Sequence, residues 1–269
     1  MKIAIIGFGE AGKMFGEQLA HHAEVSAYDV KQDSEMKIQA QERGICFEAH
    51  VEDALRGAQF VMSLVTADQA TIAAQNVGQY LRPEQYFFEM NSVAPQTKRI
   101  NASVCPGLVD VAVMAPVYPQ KAGVPLLLAH PEGDFLTQAL NGLGLNVRCV
   151  GSDIGRAAAI KMCRSVMIKG MEALTLECFE TARFYDVEDE IKSSLDSSFP
   201  GMDWRGNRVD YWFERVTTHG KRRAEEMREV AKTVEHAQVD SAMSASVADT
   251  FDRFMRKQVG DGLASKSEA

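Results

Sequence analysis

The chain lacks long apolar runs, a cysteine framework and an excess of basic residues, and each absence excludes a class of protein. No apolar run approaches the roughly 20 residues that a helix needs to span a bilayer. The five cysteines are odd in number and scattered, without a C-x-x-C pair, so neither a disulfide framework nor a metal site is expected. The net charge of −8 argues against general nucleic-acid binding, which requires a basic face.

The overall composition is typical of a soluble globular protein, with 46% hydrophobic and 25% charged residues. At 269 residues the chain is long enough to bury a sizeable core in one or two domains. Its first residues begin a strand rather than a signal peptide. We therefore expect a cytoplasmic protein that binds neither membranes nor nucleic acids.

The most informative segment is a glycine motif close to the amino terminus. It directly follows the apolar run 2–6, and Asp29 closes the next apolar run. A strand, a G-x-G-x-x-G turn, a helix and an acid about 20 residues later are together typical of a dinucleotide site. The phosphates would lie at the helix N-terminus, where N–H groups and the helix dipole favour negative charge. The predicted cofactor-binding residues of the motif are Gly7, Phe8, Gly9, Glu10, Ala11 and Gly12.

Each glycine of the motif has a predicted role. Gly7 permits a tight turn, Gly9 lets the backbone approach a pyrophosphate, and Gly12 lets the helix lie close to the strand. Asp29 would accept hydrogen bonds from the ribose hydroxyls and repel a 2′-phosphate, which favours NAD over NADP. Lys31 could pair with such a phosphate, so NADP stays open as the cofactor. An ordinary glycine turn in a βαβ unit is the alternative interpretation.

Short apolar runs alternate with helical periodicity in the first part of the chain, and after Gly151 the pattern is helical only. The alternation predicts a parallel sheet covered by helices. The fold class is therefore α/β, an N-terminal Rossmann doubly wound parallel sheet followed by an all-α C-terminal domain. The predicted strands are residues 2–6, 25–29, 59–65, 86–90, 109–114, 125–129 and 146–150, and the later helices are 153–185, 187–197, 205–217, 220–236 and 241–257.

These patterns give three predicted segments. The dinucleotide-binding domain takes residues 1–151, a helical domain for substrate and dimerisation takes residues 152–260, and a polar, frayed tail takes residues 261–269. The long helix 153–185 has apolar positions all round, which predicts packing against a partner subunit.

Polar residues follow two of the predicted strands. Thr66 follows the strand 59–65, and Asn91 and Ser92 follow the strand 86–90. Ligands of open α/β sheets bind at the carboxyl ends of the strands, so these three residues are expected beside the cofactor's ribose and nicotinamide. The alternative for Asn91 and Ser92 is that they cap the helix that begins near Pro95.

The best candidate for proton transfer is Lys161, near the start of the long helix and among Ala, Ile and Met residues. Burial would lower the pKa of this lysine towards the range where it exchanges protons near neutral pH. Arg164, Ser165 and Lys169 follow at helical spacing and form a basic strip with it. The alternative is a strip that faces solvent.

A second basic cluster opens a later helix and suits an anionic ligand. Arg222 and Arg223 present the planar guanidinium groups that bind carboxylates and phosphates, and His219 would add a donor. The alternative is a solvated helix end in which Arg222 pairs with Glu226.

These motifs resemble the β-hydroxyacid dehydrogenase superfamily, which includes 6-phosphogluconate and 3-hydroxyisobutyrate dehydrogenases. The resemblance extends over nearly the whole chain. Residues 110–117 take the place of the family's D-x-A-P-V-S-G-G segment, with Met114 at the position of its substrate-binding serine. Lys161 matches the catalytic lysine, and Ser165 stands where the family has asparagine. These departures resemble a less characterised branch with a 6-phosphogluconate-dehydrogenase-like NAD-binding domain and a distinct C-terminal domain.

The resemblance implies an NAD(P)-dependent dehydrogenase acting on the CH–OH group of a small hydroxy acid or sugar acid, with Lys161 as general acid and base. It also implies a homodimer. Arg164 or the pair Arg222 and Arg223 would hold a substrate carboxylate. Tyr118 would either reach the substrate or be a buried core tyrosine. Three alternatives stay open: an imine reductase, a sugar-acid oxidoisomerase, and a non-catalytic NAD(H)-sensing protein. Met114, Ser165, Lys169 and His219 complete the predicted substrate residues.

Overall fold

The computed structural model of the chain describes residues 1–116 and 123–267, and Tyr118 lies outside them. The contacts divide the chain into one unit of Met1–Met162 and a second that begins at Cys163. This division falls eleven residues after the boundary expected at residue 151, because the first turns of the long helix belong with the sheet. Each unit is described by itself below.

The first unit is built on one sheet, which within the described residues has eight strands in the order β3-β2-β1-β4-β5-β6-β7-β8. This arrangement confirms the predicted Rossmann-type sheet. The apolar runs did not predict β3, whose two residues are too few to show a pattern. The strands are β1 (Lys2–Ile6), β2 (Glu24–Tyr28), β3 (Cys46–Phe47), β4 (Phe60–Ser63), β5 (Tyr86–Glu89), β6 (Leu108–Val113), β7 (Pro125–Ala129) and β8 (Asn146–Gly151).

One pair of strands corrects the expectation of a wholly parallel sheet. β7 runs antiparallel to β6, with Val113 opposite Leu126, whereas the other pairs are parallel. Only residues 114–124 separate the two strands. A parallel crossover needs about a dozen residues or more, so this short connection favours the antiparallel pairing.

Both faces of the sheet are covered, as the alternation of side chains along β1 shows. Ile3 and Ile5 belong to one buried apolar cluster, and Ala4 and Ile6 belong to another. Successive strand residues point to opposite faces, so two clusters mean two layers of helices. The covering helices are α1 (Glu10–Ala20), α2 (Ser34–Glu42), α3 (Val51–Leu55), α4 (Ala70–Gly78), α5 (Pro95–Val104) and α6 (Gly133–Gly142).

The rest of the described chain is helical. Its helices are α7 (Arg156–Phe184), in which the division between the units falls, α8 (Glu188–Ser198), α9 (Arg208–His236) and α10 (Ala242–Ser267). The segment between α8 and α9 is anchored by Trp204, whose ring stacks on Phe179 with centroids 6.1 Å apart. In the described part of the chain, no helix combines the length and apolar character needed to cross a membrane.

Two expectations about these helices are corrected. The predicted helices 205–217 and 220–236 are one continuous helix, α9. Gly220 lies inside this helix. A Cβ there would lie 2.5 Å from the sulfur of Met255, so the glycine permits close packing with α10 rather than marking a helix end. The last helix also continues beyond its predicted end at residue 257, to Ser267.

Candidate functional site

The glycine loop after β1 has the geometry that a pyrophosphate requires. Gly7 has φ +94°, and a Cβ there would lie 2.7 Å from the carbonyl oxygen of Leu64. A Cβ on Gly12 would collide with the carbonyl oxygen of Gly7. At Gly9, the N-cap of α1, a Cβ would meet nothing within 4 Å. The backbone is therefore open at Gly9, where phosphate oxygens would face the N–H groups of the helix start.

Asp29, at the end of β2, is tied to this loop. Its Oδ2 accepts a hydrogen bond from the backbone N–H of Phe8 at 2.7 Å, and its Oδ1 accepts one from the N–H of Lys31 at 2.8 Å. The Phe8 ring is buried and packs against Phe47 with centroids 5.6 Å apart. Phe8 can therefore offer a cofactor only its backbone, and Asp29 holds the loop in addition to its predicted role at the ribose.

Asn91 joins the carboxyl ends of β4 and β5. Its Oδ1 accepts from the N–H of Val65 at 2.8 Å, and its Nδ2 donates to the hydroxyl of Ser63 at 3.0 Å and to Glu89. The N-cap of α5 is Ala94, without a side-chain hydrogen bond, so the capping interpretation of Asn91 and Ser92 is wrong. The side chain of Asn91 is buried and engaged within the protein, whereas Thr66 is exposed and Ser92 half-buried.

The central feature of the site is a hydrogen bond between Lys161 and Ser92. The Nζ of Lys161 donates to the Oγ of Ser92 at 2.5 Å, and both side chains are half-buried. Ser92 follows β5, and the loop at Gly7 follows β1, which is separated from β5 only by β4. These three strands are parallel, so the pair lies at the same edge of the sheet as the glycine loop.

A second feature of the sheet unit is a group of charged residues that the sequence analysis did not identify, the buried triad of Glu89, Lys98 and Asp110. The Nζ of Lys98 lies 2.6 Å from Oε2 of Glu89 and 3.4 Å from Oδ1 of Asp110. The relative exposure of the triad's side chains is 0% for the two acids and 1% for the lysine. Acidic residues are almost never fully buried unless they are paired, so an acid inside an apolar strand indicates a buried partner. Glu89 and Asp110 are such acids, and this was the signal in the sequence that pointed to the triad.

In the helical unit, the predicted anion-binding residues have carboxylate partners. Lys169 Nζ lies 2.5 Å from Oε2 of Glu226, and burial lowers the pKa of Lys169 against the opposing effect of that acid. Arg223 is buried and pairs with Glu172. The predicted pairing of Arg222 with Glu226 is present, with Nε and Oε1 3.9 Å apart. Arg215 adds a further cation to this cluster, with its Nε 3.1 Å from Oε1 of Glu172.

The other predicted substrate residues differ in exposure. Arg164 is exposed, Ser165 is buried and His219 is half-buried. Met114 is half-buried, packs on the apolar cluster around Leu127 and donates its backbone N–H to the carbonyl oxygen of Pro125 at 2.9 Å. Among the described residues, no group of three or more His, Cys, Asp or Glu side chains could hold a metal ion.

Two segments of the chain match known families. Residues 2–114 match the NAD-binding domain of 6-phosphogluconate dehydrogenase, and residues 182–254 match a domain of unknown function, DUF1932. A conserved hypothetical protein from Sinorhizobium meliloti is 35% identical, with a TM-score of 0.75 over 94% of this chain and 87% of that one. The chain belongs to this 6-phosphogluconate dehydrogenase-like NAD-binding family, in the branch with a DUF1932 domain.

Other solved structures share the fold of this family member. The conserved protein MTH1747, described by its similarity to 3-hydroxyacid dehydrogenases, is 26% identical with a TM-score of 0.75, over 96% of this chain and 98% of that one. The 3-hydroxyisobutyrate dehydrogenase of Mycobacterium tuberculosis is 13% identical with a TM-score of 0.75, over 94% and 93%. An imine reductase from Bacillus cereus is 16% identical with a TM-score of 0.59, over 95% and 93%.

Proposed function

We propose that the protein is an NAD(P)-dependent oxidoreductase that transfers a hydride between nicotinamide and a small hydroxy acid or sugar acid, with Lys161 as the general acid and base. The observation that carries this proposal is the Lys161–Ser92 hydrogen bond at the sheet edge that also bears the glycine loop. A dinucleotide whose phosphates lie at Gly9 would extend along this edge, because open α/β sheets bind their ligands there.

In an alcohol oxidation, the residues of the site would have separate roles. A bound nicotinamide supplies the hydride acceptor. In the direction of oxidation, the neutral amine of Lys161 takes the proton of the substrate hydroxyl, and in the direction of reduction its ammonium group returns that proton. The hydroxyl of Ser92 accepts a hydrogen bond from the ammonium group and so restricts the orientation of Nζ.

Asp29 favours NAD in this proposal. Its two carboxylate oxygens each accept one backbone hydrogen bond, and an ionised carboxylate oxygen has room for another from a ribose hydroxyl. A 2′-phosphate would place negative charge against the same group. The side chain of Lys31 is exposed, so NADP stays the second cofactor to be tested.

The test begins with a fluorescence titration of NADH, followed by a screen of hydroxy acids that includes 3-hydroxyisobutyrate. Lys161→Met should leave the NADH dissociation constant near normal and lower turnover by about two orders of magnitude. Lys37→Met, which removes an exposed lysine of α2, is the matched control and should have no effect. Unchanged turnover in Lys161→Met would overturn the role of the lysine.

Imine reduction is the second candidate. The fold likeness to an imine reductase and the replacement of the family's substrate-binding serine by Met114 favour its inclusion. Turnover of cyclic imines with NAD(P)H, and of no hydroxy acid, would select it. A rearranged product would select a sugar-acid oxidoisomerase, and NADH binding without any turnover would select a sensing protein.

The proposed substrate carboxylate would pair with an arginine whose guanidinium group is accessible. Arg164 and Arg222 are exposed, whereas Arg223 is buried against Glu172. Arg164→Gln and Arg222→Gln are therefore expected to raise KM for an acid substrate more than they change NADH affinity. Equal KM values in both variants and in the parent would remove these residues from the substrate site.

The protein is proposed to form a homodimer through α7. Met167 and Leu174 are 64% and 61% exposed, seven residues apart on one face of the helix, with Gly170 between them. Analytical ultracentrifugation should find a dimer for the parent and a monomer for Met167→Lys/Leu174→Lys. The control is Met243→Lys, which changes an equally exposed methionine on α10. A monomeric parent would overturn this proposal.

A further inference from the structure

Two fully buried carboxylates stand side by side in the sheet. Glu89 on β5 and Asp110 on β6 are register partners, and parallel partners point to the same face of a sheet. Lys98 of α5 reaches both acids and also donates to the carbonyl oxygens of Val111, at 3.0 Å, and Glu89. Burying three charged groups has a desolvation penalty, and well-packed apolar side chains in their place would often give equal or greater stability. Packing alone therefore does not explain the triad.

One end of the triad is attached to the segment that carries Ser92. The Oε1 of Glu89 accepts a hydrogen bond from the backbone N–H of Asn91 at 3.1 Å and another from its side-chain Nδ2. Asn91 is in turn bonded to the end of β4 at Val65. The residue directly before Ser92 is therefore fixed through both its backbone and its side chain.

The other end of the triad is attached to the start of the helix that carries Lys161. The Oδ2 of Asp110 accepts hydrogen bonds from the backbone N–H groups of Gly155 and Ala157, both at 2.9 Å, and of Ala158 at 3.2 Å. These amides form the positive end of the helix dipole, which a carboxylate stabilises. Lys161 lies one turn after Ala158.

We propose that Glu89, Lys98 and Asp110 are positioning residues that hold Ser92 and Lys161 at hydrogen-bonding distance. They touch neither reactant, and they act through Asn91 on one side and through the start of α7 on the other. The inference rests on the proposed function of Lys161. Its geometric part, the fixed Ser92–Lys161 pair, can be tested without a substrate.

The first test observes the pair directly. A proton–nitrogen correlation spectrum of the lysine ammonium groups should show Lys161, assigned by its loss in Lys161→Met. Asp110→Asn, which removes the charge of the helix anchor, should shift or broaden this signal and speed amide exchange at Gly155, Ala157 and Ala158. The signal of Lys169, whose partner Glu226 is remote in sequence from the triad, should persist and serve as an internal control for folding.

Asp33→Asn is the matched control, because Asp33 also accepts a backbone hydrogen bond at a helix start, from Met36 at 2.7 Å at the N-cap of α2. Glu89→Gln is the second variant, should Asp110→Asn fail to fold, because it keeps the helix anchor and weakens the attachment of Asn91. An unchanged Lys161 signal and unchanged amide exchange in a folded triad variant would overturn the inference.

The second test uses the acid or imine on which the parent is most active. In Asp110→Asn and Glu89→Gln, kcat per NADH-binding site should fall by about tenfold to a hundredfold, because small displacements of reacting groups have such effects. KM and the NADH dissociation constant should change by less than about twofold, because the interaction lost is one needed only in the transition state. Unchanged kcat beside a shifted Lys161 signal would overturn the catalytic part of the inference. A parent without any turnover would instead overturn the proposed function, and the spectra would still decide whether the triad holds the pair.

Discussion

The sheet unit and the helical unit each bury a charged cluster, and the two clusters are built in opposite ways. In the sheet unit two acids share one lysine, and their remaining acceptors are bonded to backbone N–H groups at the start of α7 and at Asn91. In the helical unit the contacts join side chain to side chain: Glu172 pairs with Arg215 and Arg223, and Glu226 pairs with Lys169 and Arg222.

This difference separates two uses of buried charge. The first cluster is bound to the backbone, so it fixes segments of chain and, as proposed above, the groups that those segments carry. The second cluster joins side chains of α7 to side chains of α9. The comparison predicts that the first cluster is the more costly to disrupt.

The largest expected effect is therefore on stability. Lys98→Met should lower the free energy of unfolding by about 3–5 kcal/mol, because it leaves two adjacent buried carboxylates without their cation. Lys169→Met also breaks a buried pair, but Arg222 still lies near Glu226, so a loss of about 1–2 kcal/mol is expected. Urea unfolding of both variants makes the comparison, and equal losses would contradict the distinction between the two clusters.

A smaller effect concerns the cofactor, whose predicted binding residues all lie in the sheet unit. Asp29→Asn keeps one oxygen acceptor for the glycine loop but removes the charge, so NADH should bind about tenfold more weakly, a change of ~1.4 kcal/mol. NADPH should lose less, because the repulsion of its 2′-phosphate disappears. Fluorescence titration with NADH and with NADPH measures the ratio of the two dissociation constants.

The control for this effect is Asp33→Asn, an exposed acid four residues away. If that variant changes the ratio of the two cofactors as much as Asp29→Asn does, the general negative charge of this surface is responsible and Asp29 has no place at the ribose. If Arg222→Gln weakens NADH as strongly, cofactor binding does not belong to the sheet unit alone.

The sequence predicted the parts of this molecule that local patterns encode. Apolar runs located seven strands, and the spacing of Gly7, Gly9 and Gly12 predicted a turn that the structure contains. The contact between Ser92 and Lys161 was not predicted, because it joins residues 69 positions apart and no local period records such a pair. The triad was missed for the same reason, since Lys98 looks like any polar residue of a helix until its two acids are brought to it.

The smallest expected effect concerns the ion pairs of Glu188 with Arg183 and Lys192, which are accessible to solvent, unlike the two buried clusters. Hydrogen bonds from Arg183 and then Lys192 lower the pKa of Glu188, at the start of α8, from its ordinary 4.5 to about 2. A depressed pKa in the folded state means stability that is present above pH 4.5 and lost as the pH falls towards 2. Since the pair is accessible to solvent, Glu188→Gln should cost no more than about 1 kcal/mol at pH 7 and less at pH 3. Urea midpoints at the two pH values measure this, and an equal loss in Glu190→Gln, in the same helical turn, would assign the effect to the helix dipole rather than to the two cations.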